Sequence, residues 1–426
     1  MQVQFLCTNY TPEKNGMAPF ATGLCERFAK QGHEVTAIVA FPYYPAWRVW
    51  DGYRGRLFQT ELINNVGVRR TWHFVPRRPS GLLQRLAHDL TFTLSVFLSG
   101  LFSGGGCDVI CCVCPPPTVA LAAYLLARVH RKPYVIILTD LASDAAMATG
   151  ILKEGLAVRV ARAVEGFGYR QADRVVCICD GFVEKLTERG IAPNRLKLIP
   201  LWGDTEKIYP IAAATKFREA NQITEKQFLI MHTGNMGRKQ DLMNVVRAAA
   251  LSRDLGDVVW LLVGQGEERN AIEEAVRRLQ LKNIRLLPLQ PDGTLAEMYA
   301  AADVLLLNQK AAVVDSVIPS KLLTYMAAGR PVLAAVSDKS ETARYVERAK
   351  CGRIIHSEDP MGLVKAALSF RADGALRERL GANGRPYVLE HFTKDKILQE
   401  YELLFSRYQD EVRPGAEASK KAIATN

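Results

Sequence analysis

The chain has 426 residues and a net charge of +11, with 55 Lys and Arg against 44 Asp and Glu. That length exceeds one ordinary domain and fits two of about 200 residues each, while the basic balance favours an acidic partner such as a nucleoside diphosphate or an anionic lipid. The sequence has neither a Cys/His zinc pattern nor a basic-aromatic strand pair, which argues against nucleic acid. Its nine cysteines are an odd number, and the chain opens directly on a strand, so a reducing cytoplasm is expected rather than secretion.

In chain order, Val3 to Cys7 reads as a buried strand. The loop TNYTPEKNGMAPF follows, with Gly16 ahead of an amphipathic helix at Thr22 to Gln31, and Gly32 stops that helix. A glycine before a helix suits the approach of a phosphate, although no GxGxxG is present. The next strand is His33 to Ala40. After it, PYYPAW packs two prolines and the aromatics Tyr43, Tyr44 and Trp47 into six residues. Aromatic faces stack on sugars, so this is either an acceptor-binding loop or a packed one.

Arg77 to Phe102 opens on two arginines and continues as an apolar helix interrupted by His88 and Asp89. Its uninterrupted part is too short to span a bilayer. It lies either in a membrane interface, with Arg77, Arg78 and Arg85 on lipid phosphates and Phe92, Val96 and Phe97 inserted, or partly buried on the sheet. Further strands are predicted at Val109 to Cys114, Tyr134 to Leu138, Arg174 to Ile178 and Leu196 to Ile199. TDLASD follows the second of these. Asp144 there reads as a helix cap, and Asp140 as a candidate catalytic acid.

The turn-rich stretch IPLWGDTEKIYP marks a join. Beyond it, strands at Phe228 to His232, Val258 to Val263, Ile284 to Leu287, Val304 to Leu307 and Val332 to Ala335 alternate with helices such as Leu242 to Ala250 and Glu268 to Leu279. Alternation in both halves predicts parallel α/β sheets. HTGNMGRKQDL follows the first of these strands: Gly234 and Gly237 allow a tight turn, and Arg238 and Lys239 suit a diphosphate. VGQG, with Gly264, and LPLQ, with Leu289, follow the next two strands; turn chemistry alone also accounts for them. The segment NQKAAVVDSVIPSKLLTYMAAGRPV then carries Lys310, Asp315, Ser316, Ser320 and Lys321 into a helix at Leu322 to Ala328 ended by Gly329. Ser320 is placed to cap that helix, whose N-terminus, with Lys321, suits a phosphate.

The helix–AAGRPV–strand element resembles the donor site of retaining GT-B glycosyltransferases of family 4. DSVIPSKL and PYYPAW are similar to strings in the colanic acid biosynthesis type. The resemblance implies a GT-B fold: an α/β architecture of two Rossmann-like domains with parallel sheets facing across a central cleft. The domains would be 1–202, binding acceptor, and 203–390, binding nucleotide sugar. A helix at 391–412 would pack back on the first domain, and 413–426 would form a disordered tail. Gly16 would lie close to the donor diphosphate and the acceptor. Lys239 matches a family lysine, while Asn235 stands where an arginine is usual. The family's Glu–seven residues–Glu pattern falls here on Thr324 and near Ser316 or Asp315. Gly264 and Leu289 would wall the nucleoside.

The implied reaction moves a hexose from a nucleotide diphosphate sugar, the donor substrate, to a lipid-linked saccharide in exopolysaccharide or cell-envelope polysaccharide synthesis. It would run on the inner face of the cell membrane, against an anionic surface, with no cofactor. No paired acidic motif for Mg²⁺ appears. The CxC pairs of VICCVC and RVVCIC lack a second pair at zinc spacing, so no metal is expected. A sugar-nucleotide 2-epimerase of the same fold and a non-catalytic nucleotide-sugar-binding subunit remain alternatives.

Overall fold

The computed structural model describes the chain except residues 77–80, 103–105, 149–154, 212–214, 314–319 and 424–426. It also leaves undescribed the side chains at 82, 145, 148, 157 and 215 and from 409 onward, which includes the terminal segment 413–426. Two compact units emerge, Met1–Pro200 with Leu398–Asn426, and Leu201–Ile397.

The first unit is built on β1 (Gln2–Cys7), β2 (Glu34–Ala40), β3 (Phe58–Ile63), β4 (Val66–Thr71), β5 (Val109–Cys114), β6 (Tyr134–Leu138), β7 (Arg174–Cys177) and β8 (Leu196–Leu198). Their order is β3-β4-β2-β1-β5-β6-β7-β8. Among the described strands only the β3/β4 pair is antiparallel. VICCVC and YVIIL are buried at every position, as strands covered on both faces of a parallel sheet must be. All nine cysteines are buried, and none forms a disulfide.

The β3–β4 hairpin was not anticipated, and the reason is physical. β3 is a half-exposed edge strand, with Phe58 and Leu62 in solvent. β4 carries two arginines. One of them, Arg70, is buried, with its charge held by Glu61 and the Thr11 carbonyl. Neither strand presents a continuous apolar run.

The second unit is built on β9 (Phe228–Asn235), β10 (Val258–Gln265), β11 (Ile284–Leu287), β12 (Val304–Asn308), β13 (Val332–Val336) and β14 (Gly352–His356). All are parallel, in the order β11-β10-β9-β12-β13-β14. The chain winds outward from β9 to one edge and from β12 to the other. Between β9 and β12 lies the switch point, beyond whose carboxyl ends open α/β sheets bind ligands. β1 and β5 form the same switch in the first sheet.

Two helices complete the parts that matter below. Helix Leu82–Leu101 buries Phe92 and Val96. It packs closely on helix Val119–His130, since a Cβ at Gly100 would stand 2.6 Å from Leu126. The last helix, Lys394–Ile423, contributes to the first unit from Leu398 onward. Its Tyr401 and Phe405 are buried, with ring centroids 5.9 Å from Phe20 and 4.9 Å from Phe28. Among the described residues no helix is long and apolar enough to cross a membrane.

Candidate functional site

At the switch point of the second sheet, Gly234, the last residue but one of β9, has φ +102°, a conformation that favours glycine. A Cβ there would meet Lys321 Cε at 2.8 Å. Opposite, a Cβ on Gly264 would fall 1.8 Å from the Gly234 carbonyl oxygen, so this strand pair approaches too closely for any side chain. Lys321 Nζ lies 3.2 Å from His232 Nε2. His232 Nδ1 sits 3.1 Å from the Leu306 carbonyl, which can only accept. The neutral ring therefore carries its proton on Nδ1 and offers Nε2 to Lys321. Burial drives His232 well below its ordinary value, with Lys321 adding to the effect. Burial also pulls the Lys321 ammonium from 10.5 down to about 7. The result is a half-buried lysine whose charge no carboxylate among the described residues balances, at the end of the sheet where an anion would do so.

The surrounding loop is fixed by groups the sequence reading did not single out. Buried Asn308 donates to the carbonyls of Gln240 (2.8 Å) and Asp241 (2.9 Å) and accepts from Asn244. The Lys310 amide donates to the Lys239 carbonyl at 3.0 Å. These bonds bring the turn bearing Arg238 and Lys239 beside Lys310. Arg238 is exposed and faces Glu267 at 3.6 Å. Tyr325 accepts the Thr233 amide at 2.9 Å and so anchors the helix that carries Lys321 to β9. Arg269 donates to the carbonyls of Gly264 and Leu287, tying the ends of β10 and β11 together. Leu289 is exposed beyond them, and Asn235 is exposed at the end of β9. Ser320 is the first residue of helix Ser320–Ala327 itself rather than its cap, and its carbonyl accepts the Thr324 hydroxyl at 3.0 Å. Asp315 and Ser316 lie outside the described residues.

In the first unit, buried Glu13 organises the loop after β1. Its Oε1 accepts the amides of Tyr43 and Tyr44, both at 2.7 Å, and its Oε2 accepts Asn9 at 2.8 Å. Burial raises its carboxyl, and those three donors oppose the rise. Gly16, at φ +63°, packs against Tyr44 and Asn9. Gly16, Tyr44 and Trp47 are thus held near one carboxylate, and Trp47 takes a left-handed φ of +52°. Tyr43 turns inward: it is buried, its hydroxyl is 3.3 Å from His88, and its ring is 4.9 Å from His73. Tyr44 and Trp47 remain as the half-buried aromatics of that loop.

Asp140 is half-buried two residues beyond β6, just before helix Ala142–Ala148. Asp144, expected as the cap, lies within that helix's first turn. Both of its oxygens accept Arg189 at 2.7 Å, and Lys185 stands at 3.3 Å. Burial alone would raise its carboxyl, but the two cations outweigh it and hold the group below its ordinary range. Ser143 is bound through amide and hydroxyl to buried Glu165, at 2.8 and 2.6 Å. The short loop bearing Asp140 is therefore rigid on its C-terminal side.

The family described as "Glycosyl transferase 4-like domain" matches residues 15–202, and "Glycosyl transferases group 1" matches residues 213–386. The Escherichia coli (strain K12) glycosyl transferase WcaI, which carries colanic acid biosynthesis in its name, is 30% identical over 356 residues, covering 82% of this chain and 86% of its own. The chain belongs to the family 4 glycosyltransferases of GT-B fold.

Solved structures agree on the fold of this transferase. Sucrose-phosphate synthase from Thermosynechococcus elongatus superposes with a TM-score of 0.75 at 18% identity, covering 96% of this chain and all (100%) of that one. Anabaena HepE in complex with UDP-glucose superposes at 0.70 and 16% identity, covering 96% and 100%. Within this glycosyltransferase, Lys321 and His232 stand out at the second switch point. His232 was visible only as a histidine inside an apolar strand. Nothing in the sequence marked Glu13 or Glu165, because a lone carboxylate acquires its partners only through the fold.

Proposed function

We propose that this glycosyltransferase moves a hexose, with retention of configuration, from a nucleoside diphosphate sugar to a lipid-linked glycan in exopolysaccharide or cell-envelope polysaccharide synthesis. The observation that carries the reading is Lys321, held against Gly234 and His232 beyond the carboxyl ends of β9 and β12. HepE, of the same fold, was crystallised with UDP-glucose, and WcaI is named for a polysaccharide pathway.

In this reading Lys321, Lys239 and main-chain N–H groups stabilise the charge that develops on the leaving diphosphate. Arg238 and Lys310 extend the basic rim, and Asn235, Ser320 and Thr324 supply polar contacts to the donor. Gly264 and Leu289 wall the nucleoside. The acceptor hydroxyl attacks from the leaving-group side and the departing phosphate takes its proton, so no protein nucleophile and no metal is required. Asp140 contacts the acceptor hydroxyl or the transferred sugar, and Tyr44 and Trp47 stack on the acceptor.

The reading places the enzyme on the inner membrane face. Helix Leu82–Leu101 exposes Leu83, Leu86, Leu90, Leu94 and Leu98, a spacing that sets them on one face, while exposed Arg85 falls on the other side of the helix, near Asp89. Arg77 and Arg78 fall outside the described residues. Such a face suits the headgroup boundary of an anionic membrane.

The test incubates the purified chain with UDP-, GDP- and ADP-sugars and lipid-linked acceptors, and determines the product anomer by NMR. Transfer from one donor with its anomeric configuration kept is expected. An inverted product would overturn retention, and isomerisation of free sugar nucleotide without acceptor would favour an epimerase.

A further inference from the structure

The second unit contains a cavity of about 570 Å³ that the transfer reaction leaves unused. Its wall includes Asp303, which precedes β12, and Arg330, which precedes β13. It therefore opens at the amino ends of strands whose carboxyl ends carry the Lys321 cluster. A five-residue strand separates the two levels, on the order of 15 Å.

Three guanidinium groups line this cavity, each held by main-chain carbonyls. Arg330 donates to Ala300, and Arg377 to Phe370 and Arg371. Arg385 donates to Ile208 and Ala327, both at 2.9 Å, and to Thr205 at 3.3 Å. Carbonyls orient a guanidinium without neutralising it. Two carboxylates share the wall. Asp303 is taken by Arg218 at 2.7 Å and by the Leu229 amide at 2.7 Å. Exposed Glu378 makes no ion pair among the described residues. Burial disfavours the Arg330 charge, which Asp303 supports and Arg218 opposes. Three rigid arginines from separate positions, none of them in an ion pair among the described residues, are arranged as a polydentate phosphate receptor is.

We infer that this cavity is a second anion site, distinct from the donor site, that binds a phosphate group of at least two negative charges. The phosphate is either free or carried on a lipid headgroup, and the shared chemistry is its oxygens on Arg330, Arg377 and Arg385.

The experiment is titration calorimetry at low salt on the full chain carrying Lys321→Ala together with Lys239→Ala, which weakens the donor site. The probes are inorganic pyrophosphate and short-chain phosphatidic acid. One binding event is expected to survive both substitutions. It should weaken about tenfold or more in Arg377→Gln, by loss of a charge-assisted contact, and tighten in Glu378→Gln, which removes the unpaired acid. Binding of pyrophosphate identifies a free phosphate as sufficient, and binding of the lipid alone assigns the headgroup. Abolition of all binding by those two substitutions would overturn the inference and leave the donor-site reading standing. Indifference to both Arg377→Gln and Glu378→Gln would overturn it equally. Should Arg377→Gln fail to fold by circular dichroism, Glu378→Gln decides, since that side chain is exposed.

Discussion

Lys321 is protonated in water and close to half-neutral in this fold, because burial brings it down to about 7 from 10.5. Two consequences have opposite signs. Between those values the unfolded chain binds more protons than the folded one, so the unliganded protein gains stability as pH rises through that window. A bound diphosphate restores the charge, so nucleotide-sugar affinity is highest below about pH 7 and falls above it, and binding at pH 8 takes up a proton. Calorimetry in two buffers of different ionisation enthalpy reads that uptake directly. Identical heats in both, with affinity flat across about pH 6 to 8, one unit either side of the folded value, would remove Lys321 from the donor site. Lys321→Ala and Lys239→Ala should each lower affinity about tenfold or more, since a charge-assisted contact contributes roughly 1.5–3 kcal/mol. Asp140→Asn is expected to keep the fold and donor binding while losing most transfer, and a wild-type transfer rate would reduce Asp140 to a structural residue. Lys321, Lys239 and Gly234 were legible because charge and glycine at strand ends are uncommon without a purpose. His232 was not, because a buried histidine reads as core until its neighbours are known.

At the level of elements, helix Leu82–Leu101 separates pattern from placement. Its sequence is apolar nearly all round, so periodicity finds the helix but not its buried side. Phe92 and Val96, which looked like inserting residues, are fully buried at 0% exposure. The face left outside is the leucine row, with Leu83 at 81% and Leu94 at 58% exposure. Leu86, Leu90 and Leu94 replaced together by Gln should leave thermal stability unchanged and abolish vesicle flotation, because insertion of each leucine contributes up to about 1.5–3 kcal/mol. Phe92→Ser should instead destabilise the protein by at least the roughly 3–5 kcal/mol of a large core truncation. Flotation on anionic vesicles should weaken with salt but persist, since screening removes only the charge contribution. Absence of flotation at low salt would take the membrane out of the account. The strands β3, β4 and β14 escaped the sequence reading for a related reason. They lie at or near sheet edges, where one side meets solvent and the apolar run that announces a central strand is broken.

At the scale of the whole molecule, the alternation of strands and helices made both parallel sheets legible, and the turn-rich stretch near Pro200 falls where the two units divide. What alternation cannot give is long-range closure: Phe20 and Phe28 find Tyr401 and Phe405 across nearly the whole chain. A chain ending at Ile397 should therefore expose an apolar strip on the first unit. It is expected to bind a hydrophobic dye and to lose the first unit's cooperative melting while the second unit still binds nucleotide. Native-like melting of both units in that truncation would show the helix to be dispensable. The same closure dictates the order of events on the ribosome. At about 5–20 residues per second, the second unit takes some 10–40 s to synthesise, and throughout that time the first unit waits with a core lacking its last piece. Protein made in a cell is thus open to chaperones, and to aggregation, until the helix that begins at Lys394 has been made.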